Sequence, residues 1–272
     1  MGIFSGYLLM TDMDGTLSVN EVVSRENKDA IRAFQQEGGL FTMATGRSPR
    51  YLDAYRPDIV PNAPIIAVNG TMIYDRENEK VLFSAFMDEN APEVPIYVQE
   101  KYKEFLLAVD FVKQEDKGWK MPYLPEHGDD FNEYISSLEG PWLKAIIAVK
   151  SEASDRILAD LKARFGHRYK FTRSWPEGIE MNDPKAGKEV CARWLKEHSE
   201  GKIHTVVAAG DYENDLAMIQ AADIGYAVGN AVDVVKQAAD RITVPHTEHA
   251  IAAIINELKE EIIQNGNDEK AC

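Results

Sequence analysis

Two carboxylates one residue apart, in Asp12-Met13-Asp14-Gly15-Thr16-Leu17, carry the densest chemistry in this chain. Their charges repel, and a hard cation such as Mg²⁺, which prefers oxygen ligands, relieves the repulsion. One carboxylate of such a pair can attack phosphorus, and the other can give and take a proton. Gly15 lets the backbone turn sharply behind them. Taken alone the pattern is equally an ordinary polar turn, because Asp and Gly are common turn residues.

Three further clusters complete the set. Thr45-Gly46-Arg47 offers a hydroxyl and backbone N–H groups to phosphate oxygens. In Gly210-Asp211-Tyr212-Glu213-Asn214-Asp215, Asp211 suits a metal, Asp215 can orient it from behind, and Asn214 can donate an amide hydrogen bond. Lys188 is the candidate cation, with Lys185 as its local competitor. Singly, each has a plainer reading: a turn cap, an acidic helix start and a solvated lysine. Together they supply a nucleophile, an acid/base, phosphate clamps and a metal carboxylate. Phosphoryl transfer needs that combination of positioning and positive charge.

These residues need strand ends to hold them. Short apolar runs at 7–10, 40–44, 65–68 and 205–209 read as strands buried on both faces, and each stops at one of the polar clusters or at Asn69-Gly70. Helical patterns at 24–36, 186–198, 216–222 and 250–263 alternate with them, as do strands at 224–228 and 241–244. Ser48-Pro49 reads as a helix start. The alternation predicts an α/β fold with a doubly wound, mostly parallel sheet built from residues 1–86 and 183–272. Ligands of such sheets bind beyond the carboxyl ends of the strands, where the clusters fall.

Residues 87–182 are richer in aromatics, prolines and charge clusters, and read as an inserted α+β domain. Strands are expected at 144–149 and 170–172, a helix at 152–165 and a loop at 115–130. Trp119, Trp142 and Trp175 are expected to pack in cores, and His127 and His167 to lie on the surface. Arg173, Ser174, Trp175, Glu180 and the 115–130 loop are the candidates to face the phosphate site. The tail, 264–272, is expected to fray.

The net charge of −15 makes the surface repel nucleic acid and anionic lipid, so neither is expected as a partner. A phosphate ester is anionic too, so its site needs local positive charge. Two cysteines exclude a disulfide scaffold, and no apolar run approaches bilayer length. With no secretory signal visible, these features predict a cytoplasmic protein, monomeric or a small homo-oligomer.

In order and spacing the clusters resemble the four motifs of the haloacid dehalogenase superfamily of phosphatases: Asp12 to Thr16, Thr45, Lys188, and Asp211 to Asp215. The insertion resembles the larger α/β cap of its Cof-type subgroup, class IIB, as do Asn69-Gly70 and Gly229-Asn230-Ala231. The likeness spans nearly the whole chain. It implies a Rossmann-like core, a cap that selects the substrate, Mg²⁺ as cofactor, and hydrolysis of small phosphate monoesters, sugar phosphates or related metabolites, through an aspartyl-phosphate. It implies that Asp12 is nucleophile and metal ligand, and that Asp14 is the acid/base and binds metal through its backbone carbonyl. Asp211 would be the third ligand. Met13, Thr45, Gly46, Arg47, Asn69, Lys188 and Asn214 would hold the substrate or its phosphoryl group. One departure is visible: Glu189 stands where the subgroup commonly has Gly after the lysine. Rival readings are a phosphomutase on the same fold, a phospho-receiver domain, and a non-catalytic phosphate-binding relative.

Overall fold

A computed structural model describes residues 2–52, 60–113, 123–124 and 130–271 of the chain. Strand β1 (Tyr7–Thr11) is followed by a two-strand flap, β2 (Ser18–Val19) and β3 (Val22–Val23). Next come α1 (Arg25–Gln36), β4 (Leu40–Met43), α2 (Pro49–Leu52), β5 (Ile65–Ala67), β6 (Met72–Asp75) and β7 (Lys80–Ser84). The middle contributes α3 (Glu93–Tyr102), β8 (Leu106–Lys113), α4 (Phe131–Ser136), β9 (Trp142–Val149), α5 (Ser151–Phe165), β10 (Lys170–Trp175) and β11 (Gly178–Asn182). The chain returns with α6 (Lys188–Glu197), β12 (Thr205–Gly210), α7 (Leu216–Ala221), β13 (Ile224–Ala227), α8 (Asp233–Ala238), β14 (Arg241–Ile242) and α9 (Ala250–Ala271).

A parallel sheet of order β14-β13-β12-β1-β4 forms the core. Its central strands are largely apolar because both faces are covered. Leu9 packs in one cluster with Ile31 and Phe34 of α1 and Ile254 and Leu258 of α9. Leu8 and Met10 pack on the other side with Cys191 and Leu195 of α6 and Met218 of α7. β12 divides in the same way, Val207 and Ala209 to the first cluster, Val206 and Ala208 to the second. This is the doubly wound arrangement that the alternation predicts. Register sets Thr11 beside both Ala209 and Met43, so Asp12, Thr45 and Asp211 all emerge at one end of the sheet.

Around the core, two elements depart from expectation. The third strand stops at Ala67, touches the parallel sheet through one Ala44–Ile66 bridge, and pairs antiparallel with β6. Val68 and Asn69 then adopt left-handed backbone, with φ of 54° and 56°. A β-branched residue there is strained. Hydrogen bonds from Val68 N–H to the Arg47 carbonyl (3.0 Å) and from Asn69 N–H to the Thr45 carbonyl (2.8 Å) hold the turn against the Thr45 loop. At the other end of the chain, α9 continues through Ala271 where a frayed tail was expected. An established helix extends at little cost per residue. Buried Asn27 ties the pieces together: its amide donates to the Leu17 carbonyl (3.2 Å) and accepts from Ala252 N–H (3.0 Å).

The second sheet, β10-β11-β9-β8, is antiparallel. Phe111, Ala145, Ile147, Ile179 and Met181 pack from one face against Val94 and Val98 of α3 and Ile157 and Leu161 of α5. Strand alternation sends Val112, Lys144, Ile146 and Glu180 to the opposite face, over the catalytic end of the core. Strands β8 and β11 add to the two expected here, which are also longer than expected. Trp142 packs on Phe111, with ring centroids 5.3 Å apart, and His167 is exposed, both as expected. Trp119, His127 and, apart from Tyr123, Leu124 and Asp130, the 115–130 loop lie outside the described residues. Among the described residues no helix is long and apolar enough to cross a membrane.

One carboxylate locks α3 to α5. Asp160 Oδ2 accepts from Tyr97 Oη (2.7 Å), Tyr102 Oη (2.9 Å) and Lys101 Nζ (3.0 Å). Burial alone would raise its pKa, but these three donors outweigh burial and hold it below the usual carboxylate range. A depressed folded-state pKa gives stability that is present above the unfolded pKa and lost as pH falls through the folded one. Asp160→Asn should therefore cost about 1 kcal/mol at pH 7. The urea midpoints of variant and wild type should converge once the pH falls below the depressed folded-state pKa of Asp160.

Candidate active site

Asp12 follows β1 with its N–H donating to the Ala209 carbonyl at 2.8 Å, which fixes it between two strand ends. Lys188, the first residue of α6, is buried completely and reaches both Asp12 Oδ1 (2.6 Å) and Asp215 Oδ1 (2.5 Å). Asp215 also accepts from the N–H groups of Asp211 (3.0 Å) and Tyr212 (3.3 Å), so it sets the loop that carries Asp211. Thr16 Oγ1 donates to Asp211 Oδ1 at 3.1 Å. Gly15 has φ of +79°, and a Cβ there would sit 2.5 Å from Asp211 Oδ2, so no other residue lets the two loops approach this closely.

Asp12, Asp211 and Asp215 offer oxygens within 4.8 Å of one another. Burial, then the Asp215 charge, pushes the Asp12 carboxyl well up, with Lys188 opposing and Asp211 adding to the rise. Burial and Asp215 push Asp211 up to about 7. The opposite charges around Lys188 raise its pKa despite burial. The cluster holds more negative charge than Lys188 balances, and every donor is oxygen. Both properties fit a hard divalent cation. Asp14 stands apart from this trio. Its carboxylate is half-exposed and forked by Arg47, with Nη2–Oδ1 at 2.5 Å and Nε–Oδ2 at 2.6 Å. Arg47 also meets Glu21 at the flap tip (3.2 Å) and lies 3.8 Å over the Tyr51 ring.

A cavity of about 500 Å³ opens above these groups, between the two sheets. Asp12, Asp14, Gly46, Arg47, Asp211 and Asn214 all line it. Thr45 is buried below, its hydroxyl accepting from Arg47 N–H at 3.1 Å. Asn69 accepts from Asn214 Nδ2 (3.1 Å) and donates to Glu180 and to Ser174 (3.2 Å). The Met13 side chain is buried in the core, so the site can use only its backbone. Lys185 is exposed and takes no part. Glu189 turns to Lys170 (2.7 Å), which leaves Lys188 unobstructed. Arg173 pairs with Asp155 and Glu213.

Some of the lining escapes a reading of the sequence. Buried Lys144 bonds to Glu180 (3.2 Å) and to the Gly46 carbonyl (3.0 Å), joining the second sheet to the core. Ser48 caps nothing with its side chain among the described residues: the hydroxyl is buried, beside the cavity, with no hydrogen-bond partner there. Trp175, read both as a packing residue and as a candidate to face the phosphate site, is 38% exposed and lines the cavity. Tyr51 and Tyr212 line it too. The only sequence signal for them was adjacency to the motifs.

Residues 9–255 match the haloacid dehalogenase-like hydrolase family, and the chain belongs to it. Curated proteins that it resembles along nearly their whole length are phosphatases. It is 28% identical over 250 residues, 91% of this chain and 94% of the other, to a 5-amino-6-(5-phospho-D-ribitylamino)uracil phosphatase of Bacillus subtilis. It is 25% identical to a pyridoxal phosphate phosphatase of Escherichia coli, over 91% of this chain and 97% of that one. A HAD/COF-like hydrolase of Plasmodium vivax shares the fold, with a TM-score of 0.77 at 23% identity, covering 94% of this chain and 96% of that one.

Removing the central cation would strand two buried carboxylates. Lys188→Met should lower stability by about 3 to 5 kcal/mol in urea unfolding at pH 7.5 without divalent metal. Adding Asp12→Asn should restore part of it, giving a coupling well above the value for distant sites.

Proposed function

We propose that this protein hydrolyses small phosphate monoesters, sugar phosphates or related metabolites, through an aspartyl-phosphate on Asp12. The observation that carries the reading is Asp12 itself, buried at a strand end, held by Lys188 and opening on the cavity. Asp12 would attack phosphorus while Thr45, Gly46, Arg47 and Lys188 meet the phosphoryl oxygens, with Asn69 and Asn214 setting the rim and Met13 contributing backbone. Asp14 would protonate the leaving oxygen, then take a proton from the water that cleaves the aspartyl-phosphate. Its half-exposed pairing with Arg47 is a weak restraint. Mg²⁺ would supply charge neutralisation to the spreading phosphoryl charge, held by Asp12, Asp211 and the Asp14 backbone carbonyl, with Asp215 orienting Asp211.

On this reading residues 1–86 and 183–272 form the catalytic core and residues 87–182 the cap that selects the leaving group. We place the enzyme in the cytoplasm, acting on free metabolites as a monomer or small homo-oligomer, with nucleic acid and membrane disfavoured by the −15 charge.

Phosphate release across sugar phosphates, nucleotides, and flavin and pyridoxal phosphates tests the proposal. Asp12→Asn should reduce release from the best substrate by at least about 10⁴-fold, and full turnover by that variant with Mg²⁺ would sink the mechanism. Excess EDTA should abolish wild-type release, and added Mg²⁺ should restore it; a rate indifferent to chelation would remove the metal's role. Free inorganic phosphate as product separates a hydrolase from a mutase.

A further inference from the structure

We infer that Trp175 is a stacking platform and that the preferred leaving group carries an aromatic or heteroaromatic ring, an inference that rests on the phosphatase reading above. Trp175 is large, apolar and 38% exposed, yet it lines the catalytic cavity. Two local features hold it there. The pairing of β10 with β11 slips between Arg173 and Trp175, which re-aims the side chain. Its partner across the strands is Gly178, and the indole lies where a Cβ of that residue would be. A glycine at this position thus gives the ring a seat against backbone.

The rest of the cavity agrees. Val112 and Ile146 face it from the second sheet, and Tyr51 and Tyr212 from the core. A sugar would bring several hydroxyls, each needing a partner once it leaves water. The polar groups of the roof are already engaged with one another. Lys144 holds Glu180 and the Gly46 carbonyl, and Glu180 also accepts from Asn69 and from Ser174 Oγ at 2.7 Å. Among the described residues the Ser48 hydroxyl is a buried lining group with no hydrogen-bond partner. A polyol would therefore lose more hydrogen bonds than it gained, whereas a ring would gain apolar burial and stacking on indole. The volume of about 500 Å³ accommodates a ring together with its phosphate.

The test compares kcat/KM for pyridoxal 5′-phosphate, which has a ring, with glucose 6-phosphate, which is a polyol, and acetyl phosphate, which has neither. In Trp175→Ala the ratio of the ring substrate to acetyl phosphate should fall about ten-fold or more. Trp175→Phe should keep most of the ratio, and Gly178→Ala, which unseats the indole, should lose it. Ratios cancel any general loss of folded enzyme. Calorimetric binding of pyridoxal 5′-phosphate in EDTA reads the same contact without turnover, and Trp175→Ala should weaken it by a similar factor. Unchanged ratios and affinity in Trp175→Ala, or an equal loss for glucose 6-phosphate, would overturn the platform. Absence of turnover by the wild type on every ester would overturn the phosphatase reading, while the calorimetry would still decide the ring.

Discussion

Lys188 is the residue on which the site turns. One ammonium, wholly buried, lies between Asp12 and Asp215. Without it the two carboxylates would lie buried with no cation beside them, and desolvating an unpaired charge costs several kcal/mol. Through Asp12 it fixes the end of β1, and through Asp215 the loop that presents Asp211. The first residue of one helix therefore sets the relative placement of two strand-end loops. It also leaves the cluster short of positive charge, which is the property that a divalent cation and a phosphoryl group both require.

The second sheet meets this core through polar contacts. Lys144 reaches back to the Gly46 carbonyl, Asn69 reaches up to Glu180, and Arg173 reaches Glu213. These bonds begin at residues beside the catalytic loops: Gly46 adjoins Thr45, and Asn69 holds Asn214. Contact between the two sheets is thus sensed within one residue of the groups proposed to hold phosphate.

How much of this could be read from the chain depended on where the partners lie. The core strands were legible because β1 and β12 are apolar on both faces, and the catalytic clusters because each interrupts such a run. Strand β11, Gly178–Asn182, was hidden by Glu180, a charge at a buried position. Its partner Lys144 lies 36 residues earlier, on β9, and only the antiparallel register brings them together. Val68 looked like the last residue of a strand because valine favours extended backbone, but hydrogen bonds to the Thr45 loop override that preference. Trp175 was left between core and cavity for a similar reason: its exposure depends on a strand slip and on the glycine opposite.

The path of the chain between the two sheets has a mechanical consequence. It leaves the core after β7 and comes back before α6, so the second unit is tethered at two points. A unit on one tether can swing and spin. With two, rotation about the line joining them leaves both backbones undistorted, while spinning would stretch or cross them. Any opening of the cavity would thereby be reduced largely to one rocking coordinate. A unit hinged in this way would return Trp175, Lys144 and Glu180 over Asp12 in one orientation.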